Sequence, residues 1–165
     1  MANDSVFEMT IDMDMFDLGK MKNSSVPLGN IAEKAAKQIK KQIRQKRSWT
    51  GQWYKGLSAK TIKDKRREGA RDINTPLIRT GLMFDSIQAR KGVGNTYYVG
   101  VVATGSPRRD LLAMIHQYEG VNKHTRITRK FFGLSMKFHK DATAYMSRWV
   151  KSQLRTVKKR KVRIK

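Results

Sequence analysis

Three histidines, thirteen carboxylates and no cysteine bound the chemistry this chain can carry. His116 and Glu119 stand three residues apart, a spacing that puts both on one helix face and occurs in metal sites. A metal needs three or four converging ligands, and His124 and His139 fall in other expected elements. His116 is therefore expected as a packed helix residue, not a ligand or a general base. Asp12 and Asp14 alternate along one face of an expected strand, and the eight acids of residues 18–165 are scattered, unlike the clustered carboxylates that hold Mg²⁺ in nucleases. Gly92-x-Gly94 lies in an expected hairpin, and no Gly-Lys-Ser/Thr loop or Gly-x-Ser-x-Gly elbow is present. These absences point away from an enzyme: no catalytic, metal or cofactor-binding residue is expected, and no cofactor.

Charge is the stronger signal. The 165 residues carry a net +23, unevenly spread. Asp4, Glu8, Asp12, Asp14 and Asp17 lie within residues 1–17, which hold no Lys or Arg; residues 18–165 therefore carry +28. After Asp141 only cations follow, ending in Lys158, Lys159, Arg160, Lys161, Arg163 and Lys165. Such a field implies an anionic partner: nucleic acid, an acidic protein surface or an acidic lipid face. Aromatic side chains interleaved with cations would favour stacking on single strands. Tyr97-Tyr98 have no basic neighbours, and Trp49, Trp53 and Tyr54 near Arg47 and Lys55 match only weakly. No uncharged run is long and apolar enough to cross a membrane. The acidic, alternating N-terminus does not read as a signal or transit peptide.

The elements that would position these residues follow from periodicity. Phe7, Met9, Ile11, Met13 and Met15 alternate with polar residues, a strand signal. Gly19–Gly29 reads as a linker. Asn30 and Glu33 have capping-box spacing before a stripe of Ile31, Ala35, Ile39 and Ile43, predicting a long helix near 31–47. Residues 48–57 form a loop, Ser58 caps a short helix ending near Gly69, and Thr80 caps another over 81–86. Strands over 87–93 and 96–103 flank a two-residue turn at Gly94-Asn95. Asp110 caps a helix over 111–118, residues 121–130 are a basic loop, and Ser135 opens a last helix. The order predicts an α+β fold, a small mostly antiparallel sheet packed with a long N-terminal and a long C-terminal helix. One domain over 1–157 and a basic tail over 158–165 are expected.

The order of short motifs adds a resemblance. Trp49 precedes Leu57-Ser58 and Thr61-Ile62; then come Lys65, Thr75-Pro76-Leu77-Ile78-Arg79-Thr80-Gly81-Leu82-Met83 and Ser86-Ile87. His116-Gln117-Tyr118-Glu119-Gly120 and Arg129-Lys130-Phe131-Phe132-Gly133-Leu134-Ser135 follow. This sequence of motifs resembles the virion-morphogenesis, or tail-completion, family of tailed bacteriophages over residues 49–135. Glu119 and Lys130 stand where that family usually has Gly and Pro.

The resemblance implies a structural protein of the phage neck, joining the head connector to the tail as a ring, most often a hexamer, around the DNA channel. Its implied partners are further copies of itself, portal or adaptor proteins, tail-tube or tail-terminator proteins, and genomic DNA. Its implied place is the virion, after assembly in the host cytoplasm. Candidate subunit or partner contacts are Arg79, Phe131, Trp49 and Trp53. Candidate contacts to DNA or an acidic partner are Lys123, Arg126, Arg129, Lys158, Lys159, Arg160, Lys161 and Arg163. The alternative, from charge alone, is a basic nucleic-acid-binding module.

Overall fold

The computed structural model describes residues 5–11, 25–102, 113, 116–117 and 127–162. Seven elements occur among them: β1 (Ser5–Ile11), α1 (Ser25–Arg44), α2 (Ala59–Arg67), α3 (Leu82–Asp85), β2 (Ile87–Lys91), β3 (Tyr97–Val102) and α4 (Met136–Val162). The strands form one antiparallel sheet in the order β1-β3-β2. The fold is α+β, with a long helix near each end of the chain, as the periodicity predicts.

The register gives the sheet two distinct ends. At one end Tyr97 of β3 faces Ile11 of β1 and Lys91 of β2. At the other, Val101 of β3 faces Phe7 and Ile87, and α3 leads directly into Ile87. A turn at Gly94-Asn95 joins β2 to β3, with the Thr96 N–H donating to Val93 O (3.3 Å) and φ +66° at Gly94.

Helix α1 spans the sheet between these ends. A Cβ at Gly29 would lie 3.1 Å from the Tyr97 hydroxyl, so the first turns of α1 sit against the Tyr97 end. Arg44, in its last turn, lies 5.0 Å from the centroid of the Phe84 ring, at the Val101 end. The small side chains of Ala32, Ala35 and Ala36 let the backbone approach the sheet, and Ile39 and Ile43 pack with Ile87, Val99, Val101, Phe84 and Phe131. A second face, Leu28 and Ile31, packs on Met146 and Val150 of α4. The two faces of α1 thus join sheet and C-terminal helix.

Several boundaries move from their expected positions. α1 begins at Ser25, not near residue 31, so part of the expected linker is helical. Pro27 is accommodated because the first turn makes no use of its missing N–H, and Pro27 and Leu28 are buried. The helix ends at Arg44 because Lys46 turns left-handed (φ +58°): the Arg47 N–H reaches back to Gln42 O (3.0 Å) and the Lys46 N–H to Ile43 O (2.9 Å). That pair of bonds is a Schellman termination with lysine where glycine is usual. α3 starts one residue late, capped by Gly81 with φ +89°; the Thr80 hydroxyl is a distant 3.4 Å acceptor for the Leu82 N–H. β2 ends at Lys91 and not at residue 93. Ser58 caps α2 and Ser135 caps α4 as predicted, their hydroxyls accepting from the Thr61 N–H (3.2 Å) and the Phe138 N–H (3.3 Å). The backbone of α4 continues through Val162, across the expected boundary at 157. Residues 12–15 of the expected strand, Ala103, and most of the expected 111–118 helix and 121–130 loop lie outside the described residues.

Candidate functional site

The resembling motifs, far apart in sequence, converge at the Val101 end of the sheet. The Thr75–Gly81 segment is tied to α2 from both sides. Asp72 Oδ1 accepts from the Asn74 and Thr75 N–H groups (2.9 Å each), which folds the chain back on itself. Desolvation opposes ionisation of this carboxyl, but the bonds from Thr75 and Asn74 and the nearby Lys65 ammonium outweigh it and hold its pKa below the ordinary value. Lys65, buried at 4% exposure, donates to Thr75 O (2.8 Å). Arg79 grips Glu68 with two N–H groups (2.7 and 2.5 Å), and the Arg71 N–H closes the loop on Arg79 O (2.8 Å).

Between those ties the chain turns through Pro76 and Leu77. Leu77 holds φ +68°, the left-handed conformation that a Cβ disfavours by about 1–2 kcal/mol. Proline followed by a residue of positive φ is the pattern of a type II turn, where glycine or asparagine usually takes the second place. Leucine there sets an apolar side chain on the wall of a cleft.

The cleft has a volume of about 890 Å³. Leu57, Leu77, Leu82, Met83 and Ile127 supply apolar wall; Lys55, Lys65, Arg79 and Arg129 supply cations; His116 is also part of the lining. Arg129 is 7% exposed, and its backbone N–H donates to His116 O (2.7 Å). Among the described residues, Arg129 Nε, His116 Nδ1 and the Tyr54 hydroxyl are buried without a hydrogen-bond partner. Burial lowers the His116 pKa to about 4, with the Arg129 charge acting in the same direction, so the imidazole is neutral at pH 7. Burial also raises the Tyr54 pKa, opposed by Arg129. The cleft thus pairs greasy walls with cationic groups and neutral donors and acceptors. Among the described residues no nucleophile–base pair lines it, and no group of three His, Cys, Asp or Glu side chains is able to hold a metal.

The remaining motif residues build the frame of the cleft. The Gln117 side-chain amide pairs with the Phe132 backbone: Nε2 donates to Phe132 O (3.2 Å) and the Phe132 N–H donates to Oε1 (3.1 Å). Trp49 covers Gly133, where a Cβ would fall 2.6 Å from the indole ring. Gly81 serves Arg71 in the same way, since a Cβ would fall 2.6 Å from Arg71 Nη1. Arg71 then pairs with Asp85 (2.5 Å), and Lys40 donates to Asp85 O (3.2 Å).

The candidate residues separate by burial. Arg79 lies in the cleft wall and is already paired to Glu68. Trp49 is 39% and Trp53 67% exposed, the latter under the Arg47 guanidinium at 4.0 Å. Phe131 is a correction: it is fully buried in the main core beside Phe84 and Ile87, with no surface left for a partner. Arg129 lies deep in the cleft lining at 7% exposure, where an occupant of the cleft, and not duplex DNA on the outer surface, would meet it. Lys123, Arg126 and Arg163 lie outside the described residues, and Lys158, Lys159, Arg160 and Lys161 lie on the backbone of α4. Sequence reasoning missed Lys65 as a tether and Tyr54 as the neighbour of Arg129. A lysine inside the motif, flanked by apolar Ile62 on its own helix, was the only hint for the first.

Two broader properties complete the surface. Lys34, Lys37, Lys41 and Arg44 are exposed on α1 at helical spacing, forming one basic stripe. No helix among the described residues is long and apolar enough to cross a membrane. No protein-family model, curated protein or solved structure matches the chain.

Proposed function

We propose that this chain is a structural protein of the phage neck, a non-enzymatic ring component that joins the head connector to the tail around the DNA channel. The reading rests on the motif resemblance. One observation supports it: motif segments as distant as Leu57-Ser58, Pro76–Met83, His116 and Arg129 line a single cleft with apolar walls. Motifs that share an apolar surface bordered by cations suit recognition of another protein. Its partners are then further copies of itself, the portal or adaptor on one side and the tail-tube or terminator proteins on the other, with genomic DNA in the bore. Six copies at +23 each carry +138, so assembly needs acidic neighbours or DNA phosphates as counter-charge.

The basic stripe of α1 favours a second reading, a nucleic-acid-binding module. Particle morphology separates the two. A phage whose copy of this gene is disrupted should accumulate separate heads and tails with few joined particles. Normal joined virions would remove the neck reading and promote the second.

A further inference from the structure

We infer that the cleft is the socket of a head-to-tail contact, and that its occupant is the acidic, apolar segment Asp12–Leu18 of a second copy of this chain. The inference deepens the neck reading but stands on the cleft and on chain geometry.

Chemistry selects the occupant. The socket combines apolar walls (Leu57, Leu77, Leu82) with cations (Lys55, Arg79, Arg129), and Arg129 is more than nine-tenths buried with Nε unpartnered among the described residues. The complementary ligand is a peptide that alternates carboxylates with large apolar side chains. Duplex DNA offers the charge but no apolar side chains. Beyond the paired strand β1, the chain contains one such peptide. Residues 12–18 read Asp-Met-Asp-Met-Phe-Asp-Leu, with three carboxylates and no cation, in a protein of net +23.

Reach favours an intermolecular contact. Ile11 pairs with Tyr97, and α1 begins beside Tyr97, so both ends of the 12–24 connection are anchored at that end of the sheet. The cleft lies at the other end, with Leu82 and Met83 next to Phe84, whose ring sits near Arg44. From Gly29 to Arg44 is on the order of 20 Å along α1 at ~1.5 Å per residue. Asp14 is three residues past Ile11 and reaches about 10 Å even fully extended. Asp14 therefore falls short of its own cleft, and Asp17, six residues past Ile11, spans about 20 Å only when the chain is fully extended. In a head-to-tail arrangement the Tyr97 end of one copy meets the cleft end of the next, and such heterologous contacts close into rings when the rotation allows.

The test uses full-length chains. The receiver is the Asp14→Asn/Asp17→Asn variant, and the probe is a fluorescent peptide of residues 11–19. At 0.15 M salt the probe should bind saturably, and Leu82→Glu in the receiver, at a position 42% exposed, should weaken it at least tenfold. Lys34→Glu/Lys37→Glu, on the outer face of α1, should leave affinity within twofold. In mass measurements, the Asp14→Asn/Asp17→Asn chain and the Leu82→Glu chain should each stay monomeric, and their mixture should stop at a pair.

No saturable binding, equal binding to Leu82→Glu, or displacement by duplex DNA from both receivers alike would overturn the inference. So would a wild-type chain that stays monomeric yet excludes the probe, which would put the segment in its own cleft. Because this assay contains no phage, docking can stand where joined virions remove the neck reading, and fail where separated heads and tails support it.

Discussion

The side chain of Gln117 and the main chain of Phe132 are paired as two strands would be, through bonds of 3.2 and 3.1 Å in opposite directions. This amide clasp gives the His-Gln motif a structural task. Gln117 is 8% exposed, so the Phe132 groups it satisfies have little access to water. Gln117→Glu keeps the size but replaces the donor with a second acceptor and buries a charge. It should cost about 1–3 kcal/mol, more than an exposed Gln→Glu change such as Gln45→Glu. Urea denaturation of the two variants measures the difference.

Phe131 and Trp53 should behave oppositely to a reading in which both are partner contacts. Phe131→Ala empties a fully buried site and should cost about 3–5 kcal/mol. Trp53→Ala, 67% exposed, should cost about 1 kcal/mol or less through loss of the Arg47 contact. Thermal melts at one pH decide between these orders.

His116 should make stability fall in mild acid. Its folded pKa, about 4, lies below the ordinary value of 6.5, so the unfolded chain binds the extra proton first. Stability is then full above pH 6.5, declines as pH drops towards 4, and the loss levels off below that, at up to about 3 kcal/mol. His116→Gln should flatten this part of the pH–stability curve. A curve with unchanged slope would mean that the imidazole is not buried in neutral form.

Leu77 should reveal strain by the ranking of its substitutions. Leu77→Gly removes an apolar side chain but relieves the left-handed backbone, so its net effect should be within about 1 kcal/mol. Leu77→Val retains apolar area but adds a β-branch at φ +68° and should be the more destabilising. Denaturation midpoints of the two variants give the order.

Truncation after Val157 should leave the melting temperature nearly unchanged. Val150 is the last buried residue of α4 through Arg155, so the end of the helix adds little packing. The loss of Lys158, Lys159, Arg160, Lys161, Arg163 and Lys165 should instead appear as weaker, less salt-dependent binding to DNA, measured by titration at several ionic strengths. A large drop in melting temperature would mean that these residues dock on the domain.

Local rules carried the sequence reading where local physics decides. The alternation of 7–11, the apolar stripe of Ile31–Ile43, and the hydroxyls of Ser58 and Ser135 are short-range signals, and each produced the expected element. The boundaries that moved were set by longer-range partners. α1 extends back to Ser25 because Leu28 and Ile31 find Met146 and Val150, more than a hundred residues away, and nothing within residues 25–31 records that neighbour.

Sequence by itself determined the fold class, the absence of thiol chemistry, the uneven charge and the order of motifs. It could not separate Arg79 from Arg129, or Phe131 from Trp53, since residue type does not encode depth. Tertiary structure alone decided that Phe131 lies in the core and Arg129 deep in the cleft wall, that Lys65 and Glu68 hold the Thr75–Gly81 turn, and that His116 is neutral. It also placed Ile11, where β1 ends, and the cleft at opposite ends of the sheet. The physical reason is common to these cases. Desolvation, charge pairing and reach depend on distances between residues that the chain brings together only by folding, and those distances have no local signature.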